Sequence, residues 1–323
     1  MFLKLLKNKN PIQTKTIAMP KIEIIVRVED IEDAMQRFNS LDVAEATRRD
    51  YKYRIPFFLN FVAMSGGVIT EDTYLNYKRL LVSRTDLSAS TKHKYLTVAK
   101  IYLQQLHYKD GILPKDITFG VKPIKRDARH KMGINLDEIL KIEQKLNRIE
   151  DTPLNARTKA LFCLLCYQGL RQVEVIRLDR EDLDLTNGIA KVQGKGEIDK
   201  RIIDLHPDTI KDLMNYIKLN KIGSGALFKS NYGRRQSTRL NSITIKREFK
   251  KIFDEVDIVN KTTHGLRHHY ATEVIKKIGF AKAKPFTRHE SDSALRNYDD
   301  EIKTKKDKIK VFSCFGSLRA AAT

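Results

Sequence analysis

The sequence predicts a mainly α-helical protein with a small antiparallel β-sheet in its C-terminal domain. Four amphipathic segments with short polar connections lie between about residues 30 and 118, which is typical of a helical bundle. Residues 187–205 alternate apolar and polar side chains around a Gly-Lys-Gly turn and predict a hairpin. Helical patterns return at 207–219, 242–255 and 263–277, so helices predominate.

The bundle is predicted helix by helix from apolar spacing and capping residues. The first helix has its apolar stripe at positions 31, 34, 35 and 38. Thr47 is expected to cap the second helix, which runs to about Met64, and Thr70 to cap the third. Ser88 precedes the fourth helix. Residues 1–28 are basic and weakly patterned, and we interpret them as a loose arm with one short strand at 21–28.

A basic segment divides the chain into two predicted domains. Residues 121–132 contain five Lys or Arg and one Pro, a composition typical of a linker. The predicted divisions are an N-terminal arm at 1–28, a helical domain at 29–120, the linker at 121–132, and a second domain at 133–323 that ends in a tail at 311–323.

The composition points to a polyanionic partner. Lys and Arg number 61 against 40 Asp and Glu, which gives a formal net charge of +21 over 323 residues. Nucleic acid is therefore the expected partner, ahead of a membrane surface. The longest apolar run, Leu161–Tyr167, is far shorter than the ~20 residues of a membrane span. The N-terminus lacks a secretory pattern and three cysteines cannot form a disulfide framework, so we expect a cytoplasmic protein.

The first candidate for chemistry is an arginine at a helix start. An apolar helix is predicted from Thr158 to Gly169, and Arg171 follows where the next helix begins. A half-buried arginine there can present a rigid guanidinium to an oxyanion, with Glu174 three residues later to orient it. The alternative is an ordinary helical salt bridge between these two side chains.

A second group of polar residues shares one helix face. His264, Arg267 and His268 lie within two helical turns, where they can handle a proton and a negative charge together. The His-Glu-x-x-His motif of zinc proteases is absent because position 265 is Gly, and no metal site is predicted. The alternative is a set of core and surface histidines without a chemical role.

Three further polar residues have an ordinary interpretation when taken singly. Lys195 lies at the hairpin tip between two glycines, where a lysine is usually solvated. Tyr298 lies nine residues after His289 and near a basic tail, where a tyrosine is usually a surface aromatic. The sequence Cys163-Leu-Leu-Cys166 falls in an apolar helix stripe, which favours buried core over a reactive pair.

The order of these residues resembles the tyrosine recombinase (phage integrase) family. The Gly-Leu-Arg-x-x-Glu stretch from Gly169 and the His-x-Leu-Arg-His-x-x-Ala-Thr stretch from His264 are similar to that family's two best-known boxes. A hairpin lysine lies between the boxes, and a histidine with a tyrosine nine residues later follows them. The layout is most similar to simple two-domain members, Xer-like or Cre-like. Thr287-Arg288 stands where the family usually has Leu-Gly before the histidine.

The resemblance implies a site-specific DNA recombinase that cuts and rejoins DNA through a covalent 3′-phosphotyrosyl intermediate. Tyr298 would attack the scissile phosphate, and Arg171 and Arg267 would clamp it. No metal, ATP or other cofactor is implied, because two arginines supply positive charge and the covalent link conserves the bond energy. The implied catalytic residues are Arg171, Lys195, His264, Arg267, His289 and Tyr298, supported by Glu174 and His268.

The resemblance also implies how protons move. Lys195 would protonate the leaving 5′-oxygen, and His264 would assist proton transfer from Tyr298. His289 would hydrogen-bond a phosphate oxygen. Two other functions stay open: a type IB topoisomerase-like relaxation of DNA, and a non-catalytic, sequence-specific DNA-binding protein on the same fold.

Both domains are expected to grip double-stranded DNA as a C-shaped clamp. The partner would be a recombination site, bound by a homo-oligomer that forms a tetramer on two sites, with accessory proteins and a location on the nucleoid. The tail at 311–323 would dock on a neighbouring copy or pack within its own chain. Phosphate contacts are predicted for basic residues of the bundle, the linker and the segment 229–250: Arg48, Arg49, Lys52, Lys92, Lys94, Lys125, Arg126, Arg234, Arg235, Arg239 and Lys246.

Overall fold

The computed structural model divides the chain into two compact units, Met1–Ala128 and Arg129–Thr323. The division falls inside the segment for which the sequence predicts a linker. The structure describes residues 24–25, 30–125, 133–194, 196–230 and 238–298. Most of the predicted arm, much of the linker, the hairpin lysine Lys195 and the tail at 311–323 lie outside these residues.

In the residues that the structure describes, the first unit is a bundle of four α-helices with a two-stranded ribbon. Its aromatic core includes Phe58 and Tyr77, whose ring centroids lie 4.9 Å apart in an edge-to-face arrangement. The strands pair antiparallel, with Ile24 opposite Ile69. The elements in chain order are β1 (Ile24–Ile25), α1 (Asp30–Arg37), α2 (Glu45–Met64), β2 (Val68–Ile69), α3 (Thr73–Ser83) and α4 (Ala89–Gln104).

The predicted helix caps have mixed outcomes. Ser88 is the N-cap of α4, because its side chain accepts a hydrogen bond from the Thr91 backbone N–H at 3.2 Å. Thr47 does not cap α2, which begins two residues earlier at Glu45. Arg48 fixes this helix start instead, because its guanidinium donates to the carbonyl of Phe38 at 3.1 Å and pairs with Glu45.

The start of α3 also differs from the prediction. The helix begins at Thr73 and no side chain caps it from the preceding residue. Thr70 donates its backbone N–H to Thr73 Oγ1 at 2.7 Å, so the hydroxyl lies inside the helix rather than before it. Thr70 therefore braces the turn that enters α3 and is not its N-cap.

The second unit contains most of the helices and a three-stranded antiparallel sheet in the order β3-β4-β5. The predicted hairpin is present, with Gln193 opposite Lys200 at its end. The prediction of a mainly α fold with a small antiparallel sheet is therefore confirmed. The elements are α5 (Leu136–Arg148), α6 (Pro153–Cys166), α7 (Gln172–Arg177), β3 (Leu183–Asp184), β4 (Ile189–Gln193), β5 (Lys200–Asp204), α8 (Pro207–Asn220), α9 (Ser242–Glu255), α10 (Thr263–Ile278), α11 (Phe280–Thr287) and α12 (Asp292–Leu295).

Helix α6 is the centre of the second unit. It starts earlier than the apolar pattern predicts, because Thr152 caps it and Pro153 occupies its first position. Cys163 and Cys166 are buried in its apolar face, and burial raises the pKa of both thiols. The interpretation of this pair as core is confirmed. Across the described residues, no helix has the length and apolar character needed to cross a membrane.

Candidate active site

The candidate active site forms where four parts of the second unit meet. The start of α7 contributes Arg171 and Glu174, and α10 contributes His264, Arg267 and His268. The other two parts are the segment 287–289 at the end of α11 and a 3₁₀ turn, Arg296–Tyr298, that follows α12. These parts bring five of the six predicted catalytic residues into one cluster. The sixth, Lys195, lies outside the described residues.

Gly169 makes the turn between α6 and α7 possible. Its φ of +55° lies in the left-handed region, and an added Cβ would meet the Tyr270 ring at 2.1 Å. Its carbonyl oxygen accepts hydrogen bonds from Arg267 Nη1 and, at 2.9 Å, from Arg288 Nη2. The turn therefore links the start of α7 directly to the other parts of the site.

Arg171 is held by Glu174 and remains partly exposed. Its Nη1 donates to Glu174 Oε1 at 2.7 Å, and its backbone N–H donates to Glu174 Oε2 at 2.8 Å. The Arg171 side chain is 30% exposed, whereas Glu174 is 1% exposed. The ordinary salt bridge considered as an alternative is thus present, and it fixes one edge of the guanidinium while leaving part of it accessible.

Arg267 is the buried cation of the site. Only 1% of the residue is exposed, and its Nη2 donates to the Thr287 carbonyl at 2.7 Å and to His289 Nε2 at 3.3 Å. Burial, followed by the positive charge of Arg171, lowers the pKa of Arg267 to about 10. The guanidinium stays charged at neutral pH, so a positive charge is fixed in a region with little water.

The contacts of His289 assign its tautomer. A guanidinium can only donate, so His289 Nε2 accepts from Arg267, and Nδ1 carries the ring proton. Nδ1 then donates to Thr287 Oγ1 at 2.9 Å, and the Thr287 hydroxyl donates to the Ala283 carbonyl at 3.0 Å. Burial and the neighbouring arginines lower the pKa of His289 to about 3. His289 is therefore neutral and fixed in orientation.

Tyr298 is packed among three histidines. Its hydroxyl lies 3.3 Å from His264 Nε2, and its ring centroid lies 4.8 Å from that of His268 and 4.7 Å from that of His289. The residue is 8% exposed, so it is a buried aromatic and not the surface aromatic considered as an alternative. The phenol is thus in hydrogen-bond contact with an imidazole nitrogen, which can accept its proton.

A threonine hydroxyl connects His268 to the tyrosine backbone. Thr272 Oγ1 lies 3.3 Å from His268 Nδ1 and donates to the Tyr298 carbonyl at 3.0 Å. His268 lies close to the start of the unit as well, because a Cβ on Gly133 would meet its Nδ1 at 2.4 Å. These contacts place His268 beside the cluster. They also add Thr272, which is the last residue of the His264 box in the sequence.

Arg288 and Thr287 are the other residues that sequence reasoning missed. Arg288 donates from Nη2 to the carbonyls of Gln168 and Gly169, both at 2.9 Å. Thr287 is fully buried and accepts from His289. The available signal was the departure from Leu-Gly at these positions, but no sequence pattern places Arg288 beside Gln168 and Gly169, about 120 residues earlier.

The hairpin that carries Lys195 is anchored next to the site. Arg177, at the end of α7, donates from Nη1 to the Gly194 carbonyl at 2.8 Å. Gln193 Nε2 donates to the Glu197 carbonyl at 3.0 Å on the other side of the connection. The helix that begins after Arg171 therefore also holds the residue immediately before Lys195.

Some of the predicted DNA-binding residues form hydrogen bonds within the protein, and others are exposed. Lys52 donates to Asn39 Oδ1 at 2.6 Å, and Lys92 donates to the Val82 carbonyl at 3.0 Å. Arg126, Arg234 and Arg235 lie outside the described residues. The exposed members are Arg49, Lys94, Lys125, Arg239 and Lys246.

Two of these arginines are bonded mainly to backbone carbonyls. Arg48 contacts the segment before α2, as described above. Arg239 donates from Nη1 to the Ile176 carbonyl at 2.8 Å and from Nη2 to Asp179 Oδ1 at 2.5 Å. Both side chains therefore stabilise local structure, and their remaining exposed surface is what a nucleic acid can reach.

Comparison with known proteins identifies relatives of this chain. Tyrosine recombinase XerC of Lactobacillus delbrueckii subsp. bulgaricus is 27% identical over 204 residues, which span 61% of this chain and 66% of that protein, just under two thirds of its length. Tyrosine recombinase XerD of Oceanobacillus iheyensis is 27% identical over 270 residues, which span 70% of this chain and 85% of that protein.

Solved structures share the fold. A lambda integrase dimer bound to a COC′ core site matches with a TM-score of 0.66 and 17% identity, over 88% of this chain and 80% of that one. XerH site-specific recombinase bound to its palindromic difH substrate, in a post-cleavage complex, matches with a TM-score of 0.62 and 18% identity, over 73% of this chain and 71% of that one.

A family model provides the assignment. The model described as the phage integrase family matches residues 134–305, which is more than half of the chain and includes every residue of the cluster described above. This match confirms the resemblance that the order of Arg171, His264, Arg267, His289 and Tyr298 indicates. The chain belongs to the phage integrase family.

Proposed function

We propose that this protein is a site-specific DNA recombinase that cuts and rejoins DNA through a covalent 3′-phosphotyrosyl intermediate. The contact between the Tyr298 hydroxyl and His264 Nε2 at 3.3 Å carries this proposal, because it joins a nucleophile to a proton acceptor. The buried Arg267 and the partly exposed Arg171 provide positive charge beside that pair. Together these groups match the requirements of phosphoryl transfer to a tyrosine.

The first step is attack by Tyr298 on the scissile phosphorus. The phenolic proton passes to His264 Nε2 as the new oxygen–phosphorus bond forms. The bond to the 5′-oxygen breaks, and Lys195 supplies the proton that this leaving group takes up. Rejoining is the reverse reaction, in which a 5′-hydroxyl attacks the phosphotyrosyl bond and Tyr298 recovers its proton.

The arginines stabilise the negative charge that builds up on the non-bridging oxygens. Arg171 has an accessible edge for a phosphate oxygen, and Arg267 adds a charge in a water-poor region where it acts more strongly. His289 accepts from Arg267 in the absence of DNA. The family resemblance implies that His289 hydrogen-bonds a phosphate oxygen when DNA is bound, so the single ring proton of the neutral imidazole has to move from Nδ1 to Nε2 as the phosphate replaces Arg267. Two arginines supply the charge that a metal ion would otherwise bring.

The basic residues of both units bind the phosphate backbone of double-stranded DNA. Arg49 and Lys94 in the first unit and Lys246 in the second are exposed and available for this contact. Because phosphate contacts release counterions, DNA affinity should fall steeply as the salt concentration rises. We further propose a tetramer on two recombination sites, joined by accessory proteins, in the cytoplasm.

Capture of a covalent adduct tests the proposed function. The protein is mixed in EDTA with a pool of nicked suicide duplexes, beside Tyr298→Phe, and SDS-resistant adducts are separated on a gel. The proposal predicts an adduct for the wild type and none for the variant, with a common sequence among the captured DNAs. Binding without an adduct would favour the non-catalytic alternative. Adducts on DNA of any sequence, together with relaxation of supercoiled plasmid, would favour a topoisomerase-like activity.

A further inference from the structure

Arg288 adopts a backbone conformation that favours glycine. It directly follows the last residue of α11 with φ 54° and ψ 44°, in the left-handed region. Steric repulsion of the Cβ disfavours this conformation for L-residues, and glycine is the usual residue where a helix ends this way. The chain therefore has an arginine at a position where glycine would give the lowest backbone strain.

The Arg288 side chain makes contacts that offset this strain. Only 12% of it is exposed, and its Nη2 donates to the carbonyls of Gln168 and Gly169, both at 2.9 Å. The same nitrogen lies 3.9 Å from Glu174 Oε2. These three partners flank Arg171 in the sequence. One cost remains, because Arg288 Nε is buried without a hydrogen-bond partner among the residues that the structure describes.

Contacts also run in the opposite direction, from the Arg171 segment to residues 287–289. Arg171 Nη2 donates to the carbonyl oxygen of Arg288 at 3.3 Å. Arg267 joins the same two segments, because it donates to the carbonyls of both Gly169 and Thr287. Arg267 also donates to the Gly169 carbonyl, whereas Arg288 additionally pairs the carbonyl of the buried Gln168. Arg288 therefore ties the backbone that precedes Arg171 to the segment that carries His289.

We propose that Arg288 is a positioning residue that holds the Arg171 guanidinium and His289 at a fixed separation for the phosphate. Its own guanidinium is directed at backbone carbonyls and Glu174, so it acts through Arg171 and not on the reacting atoms. The effect on DNA cleavage rests on the proposed function. The effect on the placement of Arg171 is independent of the proposed function, and it can be measured without DNA.

Three variants separate positioning from backbone strain. Arg288→Gly removes the side chain and relieves the left-handed strain, whereas Arg288→Lys keeps a charge but not the forked guanidinium. Lys221→Gly is the matched control, because Lys221 directly follows α8 with φ 52° and ψ 46° and lies outside the site. Both glycine variants gain the same backbone relief. We expect the melting temperature to rise in Lys221→Gly and to rise less or fall in Arg288→Gly.

The first measurement follows the Arg171 Nε–H signal by ¹⁵N NMR in the DNA-free protein, with Arg171→Lys to assign it. We expect this signal to shift or broaden in Arg288→Gly and to stay unchanged in Lys221→Gly. An Arg171 signal that is the same in Arg288→Gly as in the wild type overturns the proposal.

The second measurement compares DNA affinity with the single-turnover rate of adduct formation. We expect Arg288→Gly to lower the rate by about 10- to 100-fold with little loss of affinity, because misplaced groups slow the chemical step. Arg288→Lys should be intermediate. In an Arg171→Lys background, Arg288→Gly should lower the rate further by no more than about threefold. Effects that multiply in full overturn the proposal. If the wild type forms no adduct, the proposed function fails, while the NMR result still decides the placement of Arg171.

Discussion

The Tyr298 hydroxyl lies 3.3 Å from His264 Nε2, although the two residues are 34 positions apart in the sequence. The tyrosine comes from the turn after α12, and the histidine lies in the first turn of α10. The ring of Tyr298 is also held between those of His268 and His289. The proposed nucleophile and its proposed proton acceptor are therefore already in contact without DNA.

Replacing His264 should slow cleavage without weakening DNA binding. His264→Gln removes the basic imidazole nitrogen, and loss of a general base typically costs about 100-fold in rate. We expect a loss of that order in the single-turnover rate of adduct formation, with DNA affinity unchanged. His269→Gln is the control, because His269 lies on the same helix and contacts the Ile134 carbonyl instead. Equal rates in the wild type and His264→Gln would rule out this role.

Replacing Thr272 should misplace Tyr298. Thr272→Val removes the hydroxyl that lies between His268 and the Tyr298 carbonyl while keeping the side-chain volume. We expect the unfolding free energy to fall by about 1 kcal/mol, the usual worth of one hydrogen bond. The adduct rate should fall by about 10-fold. Thr272→Ser keeps the hydroxyl and should restore most of the rate. A Thr272→Ser variant as slow as Thr272→Val would show that the hydroxyl is not the relevant group.

Gly169→Ala should destabilise the protein more than backbone strain alone explains. The position combines a φ of +55° with an added Cβ only 2.1 Å from the Tyr270 ring. Gly225 is the matched control in the same unit, because its φ is +71° and nothing lies within 4 Å of its added Cβ. We expect urea unfolding to give a loss of about 1–2 kcal/mol for Gly225→Ala and about 2 kcal/mol more for Gly169→Ala. Equal losses would contradict the close contact with Tyr270.

The stability of the protein should decrease on acidification because of His289. Burial lowers the pKa of this residue to about 3 in the folded chain, from 6.5 as the ordinary value. Between these two values the unfolded chain binds more protons, so the stabilisation is complete above pH 6.5 and is lost as the pH falls toward 3. After allowance for solvent screening, we expect the unfolding free energy to fall by about 1–2 kcal/mol from pH 7 to pH 5.

A variant without the titrating ring isolates the contribution of His289 to this pH dependence. His289→Asn should show a shallower decline in unfolding free energy between pH 7 and pH 5 in urea titrations. Arg267, Arg171, Arg288 and His264 all act on the pKa of His289, so they stay unchanged in the comparison. The same slope in both proteins would mean that the decline comes from other groups.

Much of the fold could be predicted because its signals are local. Ser88 caps α4 where a serine precedes an apolar periodic segment, and the hairpin follows from alternation on both sides of a glycine-rich turn. Thr47 failed as a cap because α2 already begins at Glu45, and Arg48 instead donates to a carbonyl of the segment before the helix. That contact joins residues that no capping pattern connects.

The site was predictable in its residue types and order but not in its support. Arg171 and His264 stand in recognisable boxes, so the family resemblance identified them. Arg288 could be seen only as a departure, because both its left-handed backbone and its contact with Gly169 depend on the folded chain. Thr272 is a second such case, because its hydroxyl contacts the Tyr298 carbonyl only in the folded chain.

The most direct test of the proposed chemistry is to identify the residue that becomes linked to DNA. An adduct formed on a suicide duplex is digested with trypsin and nuclease, and mass spectrometry locates the remaining nucleotide. We expect a nucleotide joined through its 3′-phosphate to the peptide 297–303, on Tyr298. A link to any other residue, or to the 5′-phosphate, would contradict attack by Tyr298 on the scissile phosphate.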